Sequence, residues 1–438
     1  MVLQDVAWIA LGVILPREWV SEEPETLPYI ICRTASKGWR KARMSSVGSI
    51  DKALRKAPPD RLVETLDAYL SATHGTKSST VWLADYRTTT LSPSGTEPGE
   101  GLGEQLGAAT RAFASQTPVL EAREGQATAR LHLPVTAWGE RVGVLSVGLQ
   151  ADRVPSERPH LEELAESFAV ALSAAYRRTD RFHLDRRRTG RLTMAAEMQW
   201  DLLPARAYEQ PGVKFAGQLE PAYAVCGDHF DWSINGDWLT VTALNGMGTG
   251  LDAALLTTLA VNAMRNARRS IPAGQSQPGD LTDQAVLAAD AIFSQYGGAR
   301  HVATLLLALN TGTGELRMID AGSPRMILVR NGQVRDMELD AQLPLGMFGD
   351  TRYVEERTRL NPGDRLFVVS DGVHAALRPN EATFGERELS RAIRSTRLQP
   401  PAEAISSVMR SLRDYHAGAE IADDALIICL DWSPRADP

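Results

Sequence analysis

Apolar residues recur at helical spacing over residues 59–74, where Leu62, Leu66, Tyr69 and Leu70 share one face. The same spacing returns in Leu161, Leu164, Phe168, Ala171, Leu172 and Ala175. Between these helices the period shortens to two, predicting strands over 79–86, 129–137 and 141–150, the last two joined by the turn Trp138-Gly139-Glu140. A helical connector then runs over 159–189, with spacing compatible with a two-stranded coiled coil. A further helix over 191–203, carrying Leu192, Ala195, Ala196, Gln199 and Leu202, ends at Pro204. From 213 to 432 strands dominate, over 213–219, 238–244, 302–309, 315–321, 326–330, 365–370 and 425–430. Helices are predicted over 251–269, 281–296, 387–395 and 401–415. This alternation implies an α+β fold with two packed sheets flanked by helices. Residues 1–45 show no steady period, carry Trp8, Trp19 and Trp39, and read as an extension before a structured chain that starts near Met44.

Composition narrows the function. A chain of 438 residues holds two or three ordinary domains, and 43% apolar with 23% charged residues describes a soluble globular protein. A net charge of -7 argues against general nucleic-acid binding, which needs clustered positive charge. Three scattered cysteines, Cys32, Cys226 and Cys429, suggest neither a disulfide framework nor a thiolate metal site, and point to a reducing cytoplasm. The early apolar run over 6–15 is broken by Gly12, closed by Pro16 and too short for a membrane helix, which needs about 20 residues. It also lacks the marks of a signal peptide.

The chemistry gathers around residues 221–256. There a loop with Asp228 precedes an apolar strand, and the turn Asn245-Gly246-Met247-Gly248-Thr249-Gly250 opens a helix. Such a glycine-rich junction lets backbone groups approach an ion or a phosphate. Four strand-end positions stand out: Asp228, Asn245, Asp371 after the strand 366–370, and Asp423 before the final strand. Carboxylates from separate strand ends, with no histidine cluster, suit hard cations such as Mg²⁺ or Mn²⁺ rather than Zn²⁺. Any one of them alone also reads as a turn former or helix cap. His229 and His374 adjoin these acids and are either proton donors to a leaving oxygen or plain loop neighbours. Asp231 and Asp252 are candidates to assist a cation, and His132 reads as an exposed strand residue.

The motif series PAYAVCGDHFD, LNGMGTGLDAALL, DAGSPRMILVRNG, LNPGDRLFVVSDGV and DDALIICL, over about 190–432, resembles the PPM-type metal-dependent serine/threonine protein phosphatases of the SpoIIE/RsbU-like branch. The helix-strands-helix order over about 50–178, with the hairpin LHLPVTAWGERVGVLSVGL near its end, resembles a GAF domain. These resemblances imply an extension over 1–45, a GAF-like α/β sensor domain over 46–178, a helical linker or switch helix over 179–205, and a phosphatase domain with a PPM-type sandwich over 206–434. They also imply two Mn²⁺ or Mg²⁺ ions held by Asp228, Asp371 and Asp423, with the Gly246 carbonyl as a further ligand. Water activated by the ions would hydrolyse phosphoserine or phosphothreonine. The implied substrate is a phosphorylated protein such as a STAS-type anti-sigma-factor antagonist. A homodimer through the GAF-like domain and linker helix is compatible with the pattern, and no nucleic acid or membrane partner is expected.

Three positions depart from the family pattern. Asn245 stands where the acid bridging both metals is usual, Ser323 ends the Ala-Gly-His motif, and Leu426 replaces a hydroxyl residue after the final acid pair. Asn245 leaves the same cationic charge facing one fewer negative charge. One reading is a phosphatase with weakened metal holding; the other is a pseudophosphatase that keeps its interaction surface.

Overall fold

The computed structural model describes residues 50–86, 88, 90–94, 102–122, 127–187, 193–222, 226–270, 281–322, 324–377, 383–416 and 423–434. The expectations for residues 1–45 and for Ser323 lie outside them. The chain falls into two compact units, Met1–Lys52 and Ala53–Pro438, and only 50–52 of the first are described.

The second unit opens with α1 (Leu62–His74), whose Leu62, Leu66 and Leu70 form the buried face expected from their spacing. A five-stranded antiparallel sheet follows: β1 (Ser78–Ala84), β2 (Leu91–Pro93), β3 (Val119–Ala122), β4 (Thr128–Ala137) and β5 (Glu140–Gln150), in the order β2-β1-β5-β4-β3. Strand alternation divides β1 between two faces. Trp82 and Ala84 pack on Ala109, Ala112 and Phe113 of α2 (Leu102–Ser115). Val81 and Leu83 point the other way, where α1 and α3 (Val154–Ala175) pack. His132 corrects one expectation: it is wholly buried, its Nδ1 2.7 Å from Ser146 Oγ, which also accepts from Trp82 Nε1 at 2.8 Å.

The connector over 159–189 is not continuous. The backbone tightens after Ala175, where Arg178 N donates to Ala175 O at 2.8 Å. Thr179 Oγ1 then accepts from Arg181 N at 3.3 Å, and α4 (Arg181–Arg187) starts afresh.

After α5 (Met194–Leu202), capped by Thr193, come β6 (Ala207–Gln210), β7 (Val213–Glu220), β8 (Asp228–Asn235) and β9 (Trp238–Gly246). Helices α6 (Gly250–Arg269) and α7 (Leu281–Tyr296) precede β10 (Val302–Asn310), β11 (Glu315–Ala321), β12 (Arg325–Arg330), β13 (Gln333–Asp336), β14 (Glu356–Arg359) and β15 (Arg365–Val369). The chain closes with the single turn α8 (Asp371–His374), α9 (Ser390–Ser395), α10 (Pro401–His416) and β16 (Ala425–Trp432).

These strands make two antiparallel sheets, β14-β11-β10-β9-β8 and β13-β12-β15-β16-β7-β6. Phe215, Phe230, Val241, Leu305, Leu366 and Ile428 fill the layer between them. On the outer faces α6 and α7 cover one sheet and α10 the other. The fold is therefore the α+β sandwich that the alternation predicts. Each large apolar side chain in its three layers contributes about 2 kcal/mol by leaving water.

Candidate active site

One edge of the sandwich brings the four strand-end residues together. β8 was not among the predicted strands; it opens at Asp228, whose Cα lies opposite that of Asn245 on β9. Antiparallel pairing of the two strands sets this register. From the facing sheet, β15 ends in α8, and Asp371 is the first residue of that turn. Asp423 and Asp424 immediately precede β16.

Two glycines let the loops meet. Gly227 has φ of +95°, and a Cβ there would lie 2.2 Å from Gly246 O. A Cβ on Gly372 would meet Asp424 O at 1.9 Å. Only glycine tolerates either approach.

Asp424, which the sequence reading passed over in favour of Asp423, is the anchor. Its Oδ2 accepts from the backbone N–H groups of Cys226 (2.9 Å), Gly227 (3.0 Å) and Asp228 (3.3 Å) and from Gln199 Nε2 (3.2 Å). Its Oδ1 accepts from Ala222 N at 2.8 Å. The paired acids Asp423-Asp424 were the available signal, but only the folded loop distinguishes their roles. Burial raises the Asp424 pKa, and the bonds from Ala222, Gln199 and Cys226 offset only part of that rise.

Asp228 has the opposite surroundings. It is 1% exposed, and neither carboxylate oxygen has a hydrogen-bond partner. Burial first, then the charge of Asp424, pushes its pKa well above the ordinary carboxylate range. The nearby Ser370 hydroxyl opposes that push, and Asp371 and Asp423 add to it. Asp423 is raised as well, by burial and then by Asp371. Asn245 Nδ2 donates to Asp371 Oδ1 at 2.9 Å, joining the two sheets across the cleft.

Beside Asn245 and Asp371 opens a cleft of about 330 Å³ lined also by Met247, His301 and His374. His301 went unnoticed in the sequence, where nothing sets it apart. Burial and Arg325 lower the His374 pKa, so the ring is neutral near pH 7 and poorly suited to donating a proton. His229 is buried with Nε2 3.3 Å from Gln199 O, and its pKa is pushed down to about 4 by burial; it faces α5, not the cleft. The Cys226 thiol, pushed up to about 12 by burial, Asp423 and Asp424, is no nucleophile at neutral pH.

Two acids do not assist the site. Asp231 is paired with Arg265 at 2.9 Å and with Arg268, tying β8 to α6. Asp252 is paired with Arg300 at 2.7 Å on the surface.

Residues 235–433 match the profile of the family described as Stage II sporulation protein E (SpoIIE). This stretch is a SpoIIE-family domain. Protein IcfG of Synechocystis sp. is 21% identical over 265 residues, covering 55% of this chain. The chain spans 41% of that relative's length. Among solved structures, the RsbU and RsbW domains of a Mycobacterium tuberculosis protein are 22% identical, with 52% of this chain and 63% of that one covered and a TM-score of 0.44. The PP2C phosphatase domain with a fragment of the regulatory domain of SpoIIE from Bacillus subtilis is 11% identical, with 95% and 100% covered and a TM-score of 0.44.

By donor type the cleft fits a hard divalent cation. A buried carboxylate with both oxygens unpartnered, pressed by three neighbouring acids, lacks a counter-charge that a cation would provide. The set is nonetheless incomplete. Among the described residues no three acidic, thiol or imidazole groups stand close enough to form a closed ligand set. The neutral Asn245 interrupts the acidic series and spends its amide N–H on Asp371. The residues suit one ion better than a bridged pair. Among the described residues no helix is long and apolar enough to cross a membrane.

Proposed function

We propose that this chain is a regulated, metal-dependent protein phosphatase acting on phosphoserine or phosphothreonine. The observation that carries this reading is the buried Asp228 carboxylate, without a partner and surrounded by Asp371, Asp423 and Asp424. Asp228, Asp371 and Asp423, with the Asn245 side-chain oxygen and the Gly246 carbonyl, would hold Mn²⁺ or Mg²⁺. When bound, the cation acidifies water and offsets charge on the phosphoryl oxygens. The Asn245 amide orients Asp371, and the cleft bounded by His301 and His374 receives the phosphorylated side chain. Asp424 does not enter the chemistry; it fixes the loop that presents Asp228.

Regulation would pass through α5. Gln199 Nε2 reaches Asp228 O at 3.1 Å and Asp424 Oδ2 at 3.2 Å, so a shift of this helix moves the Asp228 loop. The sheet over 78–150 is read as a GAF-like sensor, and the substrate as a phosphorylated protein such as a STAS-type anti-sigma-factor antagonist.

The second reading is an interaction module without turnover, favoured by the Asn245–Asp371 hydrogen bond that already occupies one ligand oxygen. Calorimetric Mn²⁺ titration and phosphopeptide hydrolysis, for the native chain beside Asn245→Asp, separate the two. Weak hydrolysis that rises in the variant supports the phosphatase. Absence of both Mn²⁺ binding and hydrolysis in both proteins removes it.

A further inference from the structure

We propose that a cavity of about 660 Å³ between the β4–β5 hairpin, the turn after α3 and the end of α5 binds a small phosphorylated anion. Among the described residues its wall carries five guanidinium groups, from Arg141, Arg177, Arg178, Arg186 and Arg206, against three carboxylates, from Glu140, Asp180 and Asp201.

Two of the arginines are already paired: Arg141 with Glu403 at 3.1 Å, and Arg206 with Glu140 at 3.8 Å. Arg186 is not. It donates to the carbonyls of Ala84 (2.9 Å) and Asp85 (3.4 Å) and lies 4.7 and 5.2 Å from the Tyr86 and Tyr176 ring centres. No carboxylate pairs with it among the described residues. Arg177 and Arg178 are exposed. The Arg206 pKa is lowered to about 10, by burial first and then by Arg186, the response expected of a cation short of negative charge.

Trp200 and Tyr176 also line this wall, with the indole N–H and the hydroxyl turned away from solvent. Surplus guanidinium charge in one cavity is answered by an oxyanion. Guanidinium forks match phosphate oxygens in pairs, and their weak hydration makes the exchange favourable. The volume exceeds what a single phosphate fills and lies within the range of sites for small organic molecules. The ligand class is therefore a phosphorylated small molecule carrying more than one phosphoryl group or a body beyond it.

Trp200 follows Gln199 on α5, so an occupant touching Trp200 reaches the helix that holds Asp424 and Asp228. This last link rests on the proposed function; the binding does not.

The test is calorimetric titration of the full chain with inorganic pyrophosphate, metal-free in excess EDTA. The expected result is one site, weakened at least about tenfold in Arg177→Gln/Arg178→Gln, whose exposed positions leave the fold intact. Arg186→Gln should weaken binding as well, with far-UV melting as the check on folding. No heat with the native chain, or undiminished affinity in the double variant, overturns the proposal. Because the readout needs neither metal nor turnover, an inactive Asn245→Asp protein would sink the phosphatase reading and leave this one standing.

Discussion

Asp228 and Asp424 touch through the backbone, both are buried, and the fold treats them in opposite ways. Among the described residues Asp424 accepts five hydrogen bonds, four of them from main-chain N–H groups. Asp228, whose own N–H is one of those donors, has no well-formed hydrogen bond to either side-chain oxygen among the described residues, with only the Ser370 hydroxyl nearby. A buried carboxylate with a full set of donors holds a structure together, because the protein has replaced its lost water. One left without donors costs stability unless something outside the chain supplies a counter-charge. The difference separates a group that serves the fold from one that serves a ligand, although both are strand-end aspartates in the sequence.

The largest effect follows from breaking the full set. Asp424→Asn turns an acceptor into an NH₂ group facing backbone donors and should lower unfolding free energy by about 3 kcal/mol, measured by urea denaturation without metal. The same substitution at Asp228 should leave metal-free stability unchanged or raised, since it removes an unpaired buried charge. Equal losses at the two positions would erase the distinction. A smaller effect is expected from Gln199→Leu, which deletes one donor to Asp424 and one to the Asp228 carbonyl. It should cost about 1 to 2 kcal/mol.

Asn245→Asp sharpens the ligand side. Without metal it replaces the hydrogen bond to Asp371 by a like-charge contact, so the melting temperature should fall slightly. With Mn²⁺ the order should reverse, because affinity follows the number of charged ligands. Tenfold tighter binding adds about 1.4 kcal/mol at saturating metal. Melting curves of both proteins with EDTA and with Mn²⁺ read this directly.

Much of the frame was legible because β9, β10, β15 and β16 are long apolar runs bounded by turn residues. β8 was not, since Asp228, His229 and Asp231 lie within its first four residues and all are buried. Tertiary partners override the alternation there: Arg265 and Arg268 for Asp231, and the α5 backbone for His229. The break between α3 and α4 depends on the local turns at Ala175–Arg178 and Thr179–Arg181, which a continuous apolar spacing does not reveal. At the site, the convergence of Asp228, Asn245 and Asp371 follows from strand ends that sequence patterning can place. The division of labour between Asp423 and Asp424 does not, because it is decided by which carboxylate meets the N–H groups of 226–228. Asp231 and Asp252 looked equivalent to the cleft acids until their arginines were located.

The smallest effect tests whether a partnered buried group outside the cleft behaves as Asp424 does, acting on stability without any ligand. His132 bonds to Ser146, and burial lowers its pKa below the ordinary 6.5, with Glu121 opposing. The unfolded chain therefore takes up a proton near pH 6.5 while the folded chain resists until the pH is lower. Stability is lost as pH falls through that window and levels off below the folded pKa. In His132→Gln this part of the slope should vanish, whatever constant offset the substitution adds. Urea midpoints at closely spaced pH values from 7.5 to about 5 compare the two slopes. A native slope that persists in the variant would assign the acid sensitivity to other groups, with the raised carboxylates of the cleft the first to examine.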